Sequence, residues 1–274
     1  MKQFKVGIQL YSVRDKMQED FYGTLKALKE AGYDYVEFAG YFGKSAEEVR
    51  AILDELGLEC ISVHQSHDIF LEQGKAAVDF LNTIGAKYCA IPWYDIEKLR
   101  NDFDATIESF KQASDILAQG GIRLCYHNHD FEFQKVDGEF VLDKIYAAMD
   151  GKLEGEVDTC WAHYAGVDPS EYILKYKGQL NLLHLKDFEC ENLAAGPVYD
   201  LIDKNGETGK SDRKETGFKF KPLGRGRQDF AKILAAAEEV GIEYVIYEQD
   251  HSYDQGSIEA AAESRKYLKD TFGI

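Results

Sequence analysis

Histidines and acids recur along this chain at the ends of apolar runs. Glu37 follows "YDYV", and His64 closes "CISVH" with His67 just beyond. "RLCYHNHDFEF" starts with Leu124 and Cys125 and ends in His127, Asn128, His129, Asp130 and Glu132. "EGEVDTCW" carries Glu156 and Asp158, "LNLLHLKD" carries His184, Lys186 and Asp187, and "YVIYEQD" carries Glu248, Gln249 and Asp250. Unpaired polar groups are costly to bury, and unpaired charges costlier. Taken singly, an Asp after a strand caps a helix, and a His on an apolar strand is more often hydrogen-bonded in a core than bound to metal. Taken together, Asp158, His184 and Glu248 supply two carboxylates and an imidazole. Facing carboxylates repel until one takes a proton. A divalent cation removes that conflict. Mixed Asp, Glu and His donors suit Mn²⁺, Mg²⁺, Co²⁺ or Zn²⁺ without choosing among them.

The elements that must position these groups share one grammar: an amphipathic helix, a glycine, then an apolar strand. Examples are "LKALKEAGYDYVEFAG", "AILDELGLECISVH", "FLNTIGAKYCAIPW", "ILAQGGIRLCYHNH" and "ILAAAEEVGIEYVIYEQ". The glycine supplies the left-handed turn that ends a helix. Val49, Ile52, Leu53 and Leu56 fall at helical spacing. Ser45 and Glu48 fit a capping box. Eight strands are expected, at about 5–13, 35–40, 59–66, 88–94, 123–129, 155–161, 180–187 and 243–249, with helices between them. Eight such units in 274 residues predict one α/β domain, a (β/α)8 TIM barrel over 1–274. A doubly wound open sheet is the alternative, weakened by the absence of a G-x-G-x-x-G turn. An irregular polar stretch at about 189–222 is expected near the active-site face. In such barrels the site lies at the C-terminal strand ends. Asp158, His184 and Glu248 then come from three consecutive strands and become neighbours.

Bulk properties narrow the partners. The net charge of −17 disfavours nucleic acid and an anionic membrane surface. No apolar run nears the roughly 20 residues of a membrane span. "MKQFKVGIQLYSV" reads as a strand rather than a signal peptide. Five cysteines, an odd number without a C-x-x-C pair, suggest a reduced, cytoplasmic protein. A small-molecule partner is the class these properties leave, and a homo-oligomer is compatible with the composition.

At these residues the sequence resembles the xylose isomerase-like barrel superfamily, and more narrowly the sugar phosphate isomerase/epimerase family. The resemblance runs from "VGIQLYSVRD" through "YHNHDFEF", "VDTCWAHYAGVDP", "HLKD" and "PLGRGRQDF" to "YEQD". Similar families include ketose 3-epimerases, inosose dehydratase, 3-keto-sugar epimerases and lyases, and, in fold only, endonuclease IV. The resemblance implies one divalent metal held by Glu, Asp, His and Glu. Asp158, His184 and Glu248 match directly. Where the epimerases carry the strand-five Glu, this chain has Tyr126. Glu132, with the strand parity of Tyr126, is the expected fourth ligand, and His129 is its rival.

The implied chemistry is proton abstraction next to a carbonyl of a sugar or keto-sugar, by a metal-dependent isomerase or epimerase. The catalytic candidates are Glu132, Glu248 and His129. The same enolate could expel a leaving group, giving a lyase or dehydratase on a 3-keto-sugar or inosose-like substrate. A third reading is a non-catalytic sugar-binding barrel. Substrate contacts are expected from His64, His127, Trp161, Lys186 and Arg225, with Trp93 as a second stacking candidate. "LGRGRQDF" reads as a plain turn or a phosphate cradle.

Overall fold

The computed structural model describes residues 4–191, 193 and 216–274. Eight parallel strands close into a barrel: β1 Lys5–Gln9, β2 Tyr35–Phe38, β3 Glu59–His64, β4 Tyr88–Ile91, β5 Arg123–His127, β6 Glu154–Asp158, β7 Leu180–Leu185 and β8 Tyr244–Tyr247. Each strand pairs with its neighbours in sequence, and β8 closes on β1. The expected (β/α)8 barrel is thus the observed fold. The strands are shorter than expected because polar turns take over at their ends. After β1 the chain enters a 3-10 turn, Leu10–Val13, and after β6 it enters the helix Thr159–Tyr164. Cys160 therefore sits in a helix rather than a strand. All five cysteines are free.

Helix-forming segments behave as their patterns dictate. In Ala46–Leu56, Val49 and Leu53 are buried. Ser45 Oγ accepts from the Glu48 N–H, and Glu48 returns the bond to the Ser45 N–H. Gly57 ends this helix with φ of 65°, a conformation that costs glycine little.

Strand alternation splits the apolar residues into two cores. Ile61, Tyr88, Ala90, Cys125, Leu182, Tyr244 and Ile246 fill the barrel interior. Leu124, Tyr126, Val157, Leu183 and Val245 face outward, toward the helices. Two register shifts re-aim side chains. Val36 pairs with Cys60 but Glu37 pairs with Ser62, so Ile61 is an extra residue. Ile61 faces inward while Val63 faces outward, which leaves His64 pointing into the barrel. An equivalent shift at Gly155/Glu156 makes Asn181 the extra residue of β7 and turns Leu182 and His184 inward. Such bulges bend a strand and redirect its side chains.

The irregular stretch expected at 189–222 is framed by an antiparallel pair, Asp187–Glu189 with Lys219–Lys221. Residues 192 and 194–215 lie outside the described residues.

Candidate active site

The interior residues just above the apolar barrel core are polar. From β6, Asp158 divides its two oxygens between structure and site. Oδ1 accepts from the N–H groups of Cys160 and Trp161 at 2.8 and 3.0 Å, capping the next helix. Oδ2 lies 3.3 Å from His127 Nε2 and 3.0 Å from Lys186 Nζ. The helix-cap expectation for such an Asp therefore holds, and the second oxygen is left to face the interior cluster. Asn128 splints the neighbouring strand ends: its Oδ1 accepts from the Asp158 N–H at 3.0 Å.

His127, Asp158, His184 and Glu248 are buried and bring their ligand-type atoms within 4.8 Å of one another. His184 Nδ1 lies 2.9 Å from Glu248 Oε2, and His127 Nε2 lies 3.5 Å from the same oxygen. Two imidazole nitrogens and two carboxylate oxygens gathered this closely fit the donor set of a divalent ion. The protons tell the same story. Burial disfavours charge on His127, but Asp158 and Glu248 outweigh it and raise its pKa to about 9. Asp158 is buried too, yet Lys186 and His127 lower its pKa to about 2. The positive charge among these carboxylates is carried by His127 and Lys186.

The cluster differs from the expected set at one position. Glu132 is not in this group. Its Oε1 accepts from the Tyr126 hydroxyl at 2.7 Å and its Oε2 from the His129 N–H at 2.8 Å. It shares the face of Tyr126, as parity suggested, but that is the outward face, packed near Phe110. Glu132 is consequently misplaced as a ligand or as a base acting on substrate. His129 also lies outside this group. His127, expected to touch substrate, is the strand-five member of the group.

Above the four residues a cavity of about 280 Å³ opens, and Tyr11, Trp93, His129, Lys186, Glu248 and Asp250 are among its walls. His64 and His127 also reach it. Burial, with His127 and Lys186 adding their repulsion, holds the His129 imidazole well below its usual pKa. Its Nδ1 has no partner. Lys186 is buried with Nζ 2.8 Å from Glu248 Oε2 and 3.2 Å from Asp250 Oδ1. Burial opposes its charge, but Asp158, Asp250 and Glu248 raise its pKa well above the usual value. Burial raises the Asp250 carboxyl, with Lys186 pulling the other way.

Two expected substrate contacts lie elsewhere. Trp161 is 1% exposed and sits beneath Lys186, whose Nζ is 5.2 Å from its ring. Trp93, 39% exposed, is the tryptophan that lines the cavity. Arg225 pairs with Glu263 away from the cavity. The "LGRGRQDF" loop does cradle a carboxylate, but an internal one. Asp187 accepts from the N–H groups of Phe188, Gly224, Gly226 and Gln228 at 2.9, 2.9, 2.9 and 3.1 Å. The cradle is filled, so the loop is a turn.

A tier missed in the sequence lies deeper. Glu37, His64, Glu156 and His184 also bring ligand-type atoms within 4.8 Å. Gln9 Nε2 donates to Glu37 Oε2 at 2.7 Å. Glu156 was readable: two residues before Asp158, it must share its face.

The family described as the xylose isomerase-like TIM barrel matches residues 25–271. Inosose dehydratase of Geobacillus kaustophilus is 25% identical over 189 residues, 60% of this chain and 61% of that enzyme. The chain thus spans less than two thirds of that relative. The structure of a sugar phosphate isomerase/epimerase from Parabacteroides distasonis superposes with a TM-score of 0.78 at 24% identity, over 99% of this chain and 96% of that one. The structure of the IolI protein, with a bound zinc atom, superposes with a TM-score of 0.68 at 16% identity, over 97% of both chains.

Proposed function

The chain belongs to the xylose isomerase-like TIM barrel family, and we propose that it is a divalent-metal-dependent enzyme that abstracts a proton next to the carbonyl of a keto-sugar and then expels water. His127, Asp158, His184 and Glu248 would hold the ion, as the zinc bound in IolI makes reasonable. Such an ion supplies Lewis acidity toward neighbouring carbonyl and hydroxyl oxygens.

The remaining chemistry falls to the residues of the cavity. His129 is the base: its imidazole lines the cavity and is kept neutral. The electron pair moves onto the carbonyl oxygen. Lys186 stays an ammonium and offsets that charge in a site partly closed to water. That pair then returns to re-form the carbonyl, a C=C bond forms between the two carbons, and the C–O bond at the next carbon breaks. Asp250, whose carboxyl is raised by burial, gives the hydroxyl its proton, so that water departs. Environments that push a base's pKa down and an acid's up assign the two roles.

The carrying observation is that Glu132 is bonded to Tyr126 and the His129 backbone on the outward face. The cavity therefore has histidines rather than a β5 carboxylate facing Glu248 and Asp250, which disfavours epimerisation by two carboxylates on opposite faces. The likeness to inosose dehydratase favours elimination as well. Epimerisation or isomerisation is the second reading, favoured by the Parabacteroides distasonis structure. Zinc- or manganese-loaded protein should be incubated with free, phosphorylated and 3-keto-sugars, and products followed by mass spectrometry and NMR. Loss of one water supports the first reading, and a stereoisomer of unchanged mass supports the second. No turnover of any member favours a sugar-binding barrel.

A further inference from the structure

We propose that a second divalent cation binds one layer deeper in the barrel, among Glu37, His64, Glu156 and His184, with His184 shared between the two sites. The four residues come from β2, β3, β6 and β7, and the mechanism above uses only His184 among them. Their polar atoms form an alternating ring. His64 Nε2 is 2.7 Å from Glu156 Oε2 and 3.2 Å from Glu37 Oε2. His184 Nε2 is 2.8 Å from Glu37 Oε2 and 3.5 Å from Glu156 Oε1. Four donors around a tetrahedral zinc ion, with bonds near 2.0–2.1 Å, stand about 3.3 Å apart. The observed spacings, from 2.7 to 3.5 Å, need change by at most about 0.6 Å.

Three further observations point to a ligand. Glu37 and Glu156 are fully buried, and Oε1 of each has no hydrogen-bond partner. Glu156 Oε1 is the oxygen nearest His184, so it is aimed into the ring. The rings of His64 and His184 lie parallel, 8° apart with centroids separated by 5.2 Å, and both present Nε2 to the same pair of carboxylates. The two buried carboxylates are balanced by one divalent charge, with His64 neutral and the single negative charge of a fully deprotonated His184 shared with the upper ion.

The two nitrogens of His184 face different tiers. Nδ1 meets Glu248 above, and Nε2 meets Glu37 and Glu156 below. One ring can therefore ligate on both sides once it has lost both protons. The Glu37 carboxylate alone, without an ion, would instead fix the tautomer of His184 for the upper site.

The two arrangements separate in one experiment. Crystals of the full chain loaded with zinc should be measured at the zinc absorption edge. An anomalous peak enclosed by Glu37, His64, Glu156 and His184 is the expected result, with about two zinc ions per chain against about one in the Glu37→Gln/Glu156→Gln double variant. Zinc-loaded protein without a peak in the lower tier overturns the proposal and leaves a hydrogen-bonded cluster held by protons. Asp158→Asn should remove the upper peak and spare the lower, so an empty upper site counts against the proposed function and not against this second ion.

Discussion

At the scale of single residues, the strand-five run resolves into three roles. His127 faces the barrel interior with the metal-type group, His129 lines the cavity, and Glu132 stands behind both. Replacing His127 with Ala should lower zinc affinity by at least 10–100-fold, the range seen for groups that merely support ligands, as measured by competition with a chelator. Glu132→Gln should leave affinity nearly unchanged, because Gln can still accept from the His129 N–H and donate to Tyr126. That same variant has a pH signature. Burial raises the Glu132 carboxyl from 4.5 to about 7. Between those values the folded chain holds a proton that the unfolded chain has lost, so the Glu132 contribution to stability falls as pH rises and is fully lost above about 7. The melting temperature of Glu132→Gln relative to the parent should climb from pH 4.5 to 7.5. A constant difference across that window would mean that Glu132 is already ionised in the fold.

At the scale of elements, most of the architecture was readable, and the exceptions have physical causes. The helix–glycine–strand repeat and the apolar runs together located all eight strands, because burial on both faces imposes continuous apolar runs. Asp158, His184 and Glu248 were found because barrel order makes consecutive strands neighbours. The failures concern facing. Strict alternation would have grouped Val63 with Ile61, but the bulge at Ile61 reverses the face and delivers His64 to the site. No local residue type announces that bulge. Glu132 was misplaced because its parity was matched to Tyr126 without asking which face Tyr126 occupies. The alternation of β5 contained the answer: His127, two residues after the interior Cys125, had to point inward. The "GRGR" loop was legible as a turn, but not the carboxylate inside it. At Gly226 a Cβ atom would stand 2.2 Å from Asp187 Oδ1 and 2.4 Å from the Phe188 carbonyl oxygen. Gly226→Ala should therefore destabilise the fold by about 1–3 kcal/mol, as overpacking against backbone does, read from chemical denaturation. Unchanged stability would show that the loop yields freely.

At the scale of the whole molecule, a chain of net charge −17 gathers further acids at one end of its barrel and balances them with Lys186 and histidines. An ion that binds only the folded form stabilises it by about 2.7 kcal/mol at one hundred times its dissociation constant. Zinc should thus raise the melting temperature, and Asp158→Asn should blunt the rise. No described helix is long and apolar enough to cross a membrane, and the cavity of about 280 Å³ is on the scale of a small sugar. The central claim is removal of a carbon-bound proton by His129 beside the His127, Asp158, His184 and Glu248 group. Its most direct test is ¹H NMR of zinc-loaded protein with keto-sugars in D₂O. The expected result is deuterium entering at the carbon next to the carbonyl, with the rate falling at least 100-fold in both His129→Gln and Asp158→Asn. Exchange that persists undiminished in both variants, or that never occurs in the parent across free, phosphorylated and 3-keto-sugars, would contradict it.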